Sequence, residues 1–111
     1  MNIIGWICAT TDGGEIFDYI LRTKNESAGV GIYNDIYYSN PRVDEIGEQV
    51  ISMMDLEERL YLMQEGFAIA MEDVAWIPLY TCQGIYAFAN YIDWNPRSDT
   101  VYKFEEISLI E

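Results

Sequence analysis

Residues 40–73 constrain the fold more than any other part of the chain. Asn40-Pro41 opens the run: an Asn side chain caps the free amides of a helix start, and Pro suits a first helical position, where no amide donor is needed. Val43, Ile46, Gly47, Val50, Ile51 and Met54 then fall on one face, with Asp44, Glu45, Glu48 and Gln49 on the other. Asp55 opens a second helix, with Glu58 at capping-box spacing. Leu56, Leu60, Met63, Phe67, Ala70 and Met71 form its stripe. Helices are therefore predicted over 41–53 and 56–73, joined as a hairpin. Arg59 lies one turn after Asp55, spacing that predicts an ion pair between them. After Asp73 the apolar period drops to two. Residues 76–81 and 85–89 read as strands joined at Cys82-Gln83-Gly84. Pro78 cannot donate to a ladder, so the first strand belongs at an edge or begins near that Pro. The expected class is α+β, a helical hairpin packed on a small mixed sheet.

The flanking segments extend this reading. Residues 2–8 read as a short buried strand, and Asp12-Gly13-Gly14 as a turn. Ile16, Phe17, Ile20 and Leu21 give 15–21 a helical spacing. Residues 23–31 are polar and contain glycine, as a loop does; the Asn25-Glu26-Ser27 triplet within them is a formal glycosylation sequon. Residues 93–99, with Asn95-Pro96, predict a surface turn, and 101–109 a last strand. With no internal repeat, the 111 residues suit a single domain.

Composition removes several function classes. Nineteen acids against six bases give a net charge of −13, which repels nucleic acid and anionic membrane faces. No apolar run approaches the ~18 residues of a membrane span. There is no His, the commonest general base and transition-metal ligand. Cys8 and Cys82 are too few for a zinc site; they read either as one disulfide or as two free thiols. A phosphate loop does not fit, because the Thr10-Thr11-Asp12-Gly13-Gly14-Glu15 stretch puts acids where phosphate oxygens would sit. No Ser or Cys has an obvious activating base. The acids lie at helix starts, on helix faces and in turns, where solvation explains them. No catalysis, cofactor or metal is expected.

A series of short motifs resembles the C-terminal part of the extracytoplasmic solute-binding proteins of peptide and nickel ABC transporters. Gly5-Trp6 leads through small residues to Asp12-Gly13-Gly14 and a helix at Phe17. Gly31, Asn34 and Tyr38 match a Gly-x-x-Asn-x-x-x-Tyr segment, and Asn40, Pro41, Val43 and Asp44 match Asn-Pro-x-Val-Asp. Asp55, Arg59 and Leu62 match Asp-x-x-x-Arg-x-x-Leu, and Ile77 to Tyr80 match an Ile-Pro-Leu-Tyr strand. The order covers nearly the whole chain.

That resemblance implies part of one lobe of a two-lobed periplasmic-binding-protein-like fold. It also implies a non-catalytic role in binding a peptide or related small solute for a membrane permease, outside the cytoplasm. A start inside a strand, without a signal-like leader, is what a C-terminal portion of a longer protein predicts. Trp6 is the first candidate for the cleft wall, with Thr10, Thr11, Asp12 and Asn34 as polar candidates. Each has a purely structural alternative: core packing for Trp6, capping for Asp12, a turn for Asn34. In peptide-binding members the third residue after the Trp is an Asp that meets the ligand's ammonium; here it is Ala9. The alternative function is a small acidic domain that binds another protein through an apolar face. A homodimer is expected of the isolated chain, through edges at Ile3, Ile4 and Trp6 and at residues 101–109.

Overall fold

Asn40 and Asp55 act as the caps their positions predict. In the computed structural model, which describes residues 3–110, Asn40 Oδ1 accepts from Arg42 N at 3.0 Å and Pro41 opens helix α2 (Pro41–Ser52). Asp55 Oδ1 accepts from Glu57 N and Glu58 N, both at 3.0 Å, and opens α3 (Leu56–Glu72). Helix α1 (Gly14–Ile16) precedes both and continues as a π-helical turn over Phe17–Leu21, closed by Arg22 N donating to Phe17 O at 2.9 Å. Ile92–Asp93 (β1) and Ser108–Leu109 (β2) pair antiparallel, Ile92 opposite Leu109, and Phe104–Glu106 forms a 3-10 turn between them. The architecture is three helices with a two-stranded sheet, mostly helical. None of the described helices is long and apolar enough to cross a membrane.

The core lies where the π turn meets the hairpin. Phe17, Ile20 and Leu21 are buried against Val43, Ile46 and Val50 of α2, with Ala70 of α3 and Ala75. The Phe17 and Phe67 rings pack at 4.7 Å between centroids. Gly66 makes room for this: a Cβ there would sit 2.5 Å from the Phe17 ring and 3.1 Å from Ile46. Ile51 and Met54, assigned to the inner face of α2, are exposed, as are Leu56, Leu60 and Met71 of α3. The contact is centred on Gly66, Ala70 and the C-terminal half of α3, so at Ile51, Met54, Leu56 and Leu60 both stripes reach past it at the hairpin's turn, while Met71 is exposed at the opposite end.

The expected strands form differently. Residues 76–89 contain neither turn nor bend, and the chain runs straight through Cys82-Gln83-Gly84. Gly84 does not adopt the left-handed backbone that a tight hairpin favours; among glycines only Gly29 and Gly31 do. The mixed sheet under the helices is therefore replaced by an extended arm and the small β1–β2 pair. Of 101–109 only Ser108–Leu109 pairs, because the 3-10 turn interrupts the run. The predicted turn over 93–99 begins inside β1 at Asp93. Residues 3–8 are extended but belong to no strand, with Ile3 and Ile7 exposed; Asn2, where that strand was to begin, lies outside the described residues. Trp94 gathers Tyr86, Phe88 and Tyr102 at 5.4 to 5.8 Å into a second, aromatic cluster.

The result is elongated. The radius of gyration is 17.7 Å, against about 13 Å for a compact domain of this length. The accessible surface of 8335 Å² exceeds by about 2,000 Å² what a folded monomer of this mass exposes.

Candidate functional site

Extended backbone alternates its side chains, and residues 3–9 do so: Ile4, Trp6 and Cys8 are half-buried while Ile3, Gly5, Ile7 and Ala9 face out. Trp6 meets Tyr19 of the π turn at 5.7 Å and Tyr33 at 5.5 Å, and the two tyrosines meet each other at 6.3 Å. These three rings make a wall that is apolar in body and polar at its tips. The Trp6 indole Nε1 is buried, with the Cys8 sulfur as its polar neighbour. Burial, aided by the Glu15 carboxylate, pushes the Cys8 thiol above its ordinary value, so Cys8 rests protonated and unreactive. Both cysteines are free.

The loop beyond Trp6 is tied by its own acids. Glu15 accepts from Ala9 N at 3.2 Å, from Thr10 N at 2.8 Å and from the Thr10 hydroxyl. These bonds, the Thr10 hydroxyl first, hold the Glu15 carboxyl below its usual range, which makes it a poor base at neutral pH. Thr11 Oγ1 donates to Thr10 O at 2.6 Å, and Thr11 itself carries a left-handed φ of 61°. Such a conformation in a β-branched residue stores strain, and the Glu15 clamp and the Asp12 pair flank it.

Asp12 is the anchor. Its carboxylate receives a two-pronged bond from Arg59, Nη1 to Oδ2 at 2.7 Å and Nη2 to Oδ1 at 2.9 Å, and a further one from Gly14 N at 2.6 Å. Arg59, followed by Gly14, depresses the Asp12 pKa. Arg59 Nε also donates to Val50 O at 2.8 Å, so one guanidinium joins the loop, the end of α2 and the start of α3. The expected Asp55–Arg59 pair gives way to this arrangement. Asp55 is the cap of α3, and its oxygen is turned back onto the first amides of the helix.

Asn34 stands apart from the loop and reaches the wall only through its neighbour Tyr33. It is fully buried. Its Nδ2 donates to Arg22 O at 2.9 Å and Tyr38 O at 2.7 Å, and its Oδ1 accepts from Tyr38 N at 3.0 Å. Gly31, three residues earlier, needs to be glycine: its φ is 62° and a Cβ would lie 2.5 Å from Arg22 O. The structure thus brings Trp6 and the Thr10–Asp12 loop together along one segment and uses Asn34 to pin backbone behind it. Tyr19 and Tyr33 were missed in the sequence; an excess of tyrosine over the needs of a core was the only signal for them.

A second knot ties the same loop to α3. The Tyr38 hydroxyl and Asn40 Nδ2 donate to Asp73 Oδ2 at 2.6 and 2.8 Å. Burial, then the Asp73 carboxylate, pushes the Tyr38 phenol up to about 12 from 10.0. The unfolded chain therefore loses that proton first. The contribution to stability is intact below pH 10 and is lost as pH rises through about 12. Urea midpoints measured across this window should fall in the wild type, and Tyr38→Phe should flatten the fall. An unchanged slope in that variant would place the alkaline sensitivity in another group.

Among the described residues no group of acids and cysteines is arranged to hold a metal ion. Compared with protein-family models, curated proteins and solved structures, the chain matches none.

Proposed function

We propose that this chain forms part of one lobe of an extracytoplasmic solute-binding protein of the peptide and nickel ABC transporter type. In this reading it is non-catalytic. It presents the Trp6–Tyr19–Tyr33 wall to a peptide or related small solute, which the whole protein delivers to a membrane permease. The observation that carries the reading is the bidentate Asp12–Arg59 pair. It joins the acid turn after Gly5-Trp6 to the Asp-x-x-x-Arg-x-x-Leu helix start, two of the motifs that carry the resemblance. Between them, the Asn34–Tyr38 bonds close the Gly31-x-x-Asn34-x-x-x-Tyr38 segment on itself, and Tyr38 and Asn40 are both held by Asp73 at the end of α3. With Ala9 where an ammonium-binding Asp is expected, the site favours a solute held by its apolar or aromatic groups, and the net charge disfavours anions.

Calorimetric titration of the chain with short peptides bearing apolar and aromatic side chains tests the reading. Trp6→Ala should weaken binding by roughly tenfold or more, the usual loss when an aromatic anchor is removed. The melting temperature should hardly move, since Trp6 is at the periphery of the core. A large drop in melting temperature with unaltered affinity would make Trp6 a packing residue. Absence of binding heat across the set would overturn the proposal.

A further inference from the structure

The extended arm after α3 has three properties that belong together. Among the described residues, 76–88 make no backbone–backbone hydrogen bond, although they run without turn or bend. From Val74 to Ile92 there is no charged side chain, in a chain carrying nineteen acids elsewhere. Most of its apolar side chains face water: Ile77 is 70% exposed, Tyr80 81% and Ile85 92%, while Trp76 packs on the core and Tyr86 and Phe88 on Trp94. An exposed, flat, uncharged strand edge is a template for another strand.

We propose that residues 76–88 pair antiparallel with the same residues of a second copy, about a two-fold axis at Cys82. Pro78 fixes the hydrogen-bond phase of this ladder. Antiparallel pairs alternate between hydrogen-bonded and non-hydrogen-bonded sites, and Pro78 has no donor, so it must occupy a non-hydrogen-bonded site. With the axis at Cys82, the midpoint of the unpaired run, Pro78 faces Tyr86 of the other copy. Cys82 then faces its own counterpart in a site of the same kind. Of the remaining pairs, Tyr80 faces Gly84, Leu79 faces Ile85, Ile77 faces Ala87, Trp76 faces Phe88, and the polar Thr81 faces Gln83. The Tyr86 ring of the same chain already lies over Gly84, where a Cβ would meet it at 2.8 Å, and an aromatic ring over a strand glycine is a favourable arrangement. The surface supports it too: the excess of about 2,000 Å² per chain is more than the ~800 Å² each partner contributes to a standard interface. The charge of −13 opposes association, but none of it lies on the arm, and salt screens the rest beyond about 8 Å. This pairing stands independently of the solute-binding reading, since it needs neither solute nor the Trp6 wall.

Sedimentation equilibrium of the reduced chain should show a dimer that tightens with added salt. Ile85→Pro removes a ladder donor from each copy and should weaken the dimer about tenfold or more. Its helical ellipticity should not change, because Ile85 is outside the core. Oxidation by diamide, which takes up the two thiol hydrogens, should link two chains in wild type and in Cys8→Ser but not in Cys82→Ser. Facing Cα atoms about 4.5 Å apart suit a disulfide. A monomer at high micromolar concentration in every salt would overturn the proposal. So would a dimer indifferent to Ile85→Pro, or one that fails to cross-link through Cys82. These results leave the peptide titration untouched, so either proposal can fail alone.

Discussion

Phe17→Ala should cost about 3–5 kcal/mol, the usual price of emptying a buried aromatic site, and lower the urea midpoint steeply. Phe17 is fully buried and is the largest member of a core of eight buried apolar residues among those described. It shares one cluster with Val43, Ile46 and Val50 of α2, and its ring centroid lies 4.7 Å from that of Phe67 in α3. A small core of this kind supports stability at the lower end of the ~5–15 kcal/mol range. The vacated space cannot close easily, because the nearest backbone is helical at Gly66. Urea denaturation followed by ellipticity would measure the loss. Gly66→Ala supplies a cross-check. In the wild type its methyl would collide with the Phe17 ring at 2.5 Å, and overpacking of this kind costs ~1–3 kcal/mol. In a Phe17→Leu background the same methyl should be tolerated or should help. A double-mutant cycle would read that coupling, and additive losses would show that the two residues do not share the space.

The second large effect is expected at Asn34. Substitution by Leu keeps the branched outline, though it is bulkier, and strips three backbone groups of their partners: Arg22 O, Tyr38 O and Tyr38 N. Each stranded polar group costs roughly 1–3 kcal/mol when water cannot reach it, and partial access brings the expected total to about 2–4 kcal/mol. Asn34→Asp is the sharper test. Two of its contacts become carboxylate oxygen against carbonyl oxygen, so burial and this repulsion raise the pKa of the new carboxyl in the folded state. The unfolded chain ionises first as pH rises. The variant should be least impaired below pH ~4, the ordinary Asp value, and lose further stability as pH rises through the raised value. Urea midpoints at acid and neutral pH would decide; a variant equally stable at both would mean that the site is open to water.

The helical hairpin was legible because its signals are local. Asn40-Pro41 and Asp55 satisfy their own helix starts, and Val43, Ile46 and Val50 need only the helical period to find the core. Ile51, Met54, Leu56 and Leu60 carry the same period yet stay exposed, because period reports which face is apolar and not how far the partner extends. The strands after Asp73 failed for a related reason. Alternation at Trp76 to Ala89 does mark an extended backbone, but a strand needs a partner, and pairing is a long-range event that spacing along one segment does not encode. The Gly84 turn was inferred from residue type alone, and an extended glycine costs little to form. At the site, Asp12 was visible as an acid in a turn. Its partner Arg59 lies 47 residues on, beyond the reach of any local rule, and the nearer Asp55 was already occupied by its helix.

The arm beyond Trp76 also determines what a melting experiment can see. Among the described residues the buried apolar cluster draws on nothing past Trp76, so the cooperative unit that heat disrupts is the front of the molecule, roughly the size at which 1 kcal/mol moves the midpoint by about 4–8 °C. Substitutions in the arm of a single chain leave that unit intact and are thermally silent. Screens that rank variants by thermal shift are therefore blind to a quarter or more of this sequence, while the same changes alter how the chain sediments, aggregates and is cut by proteases.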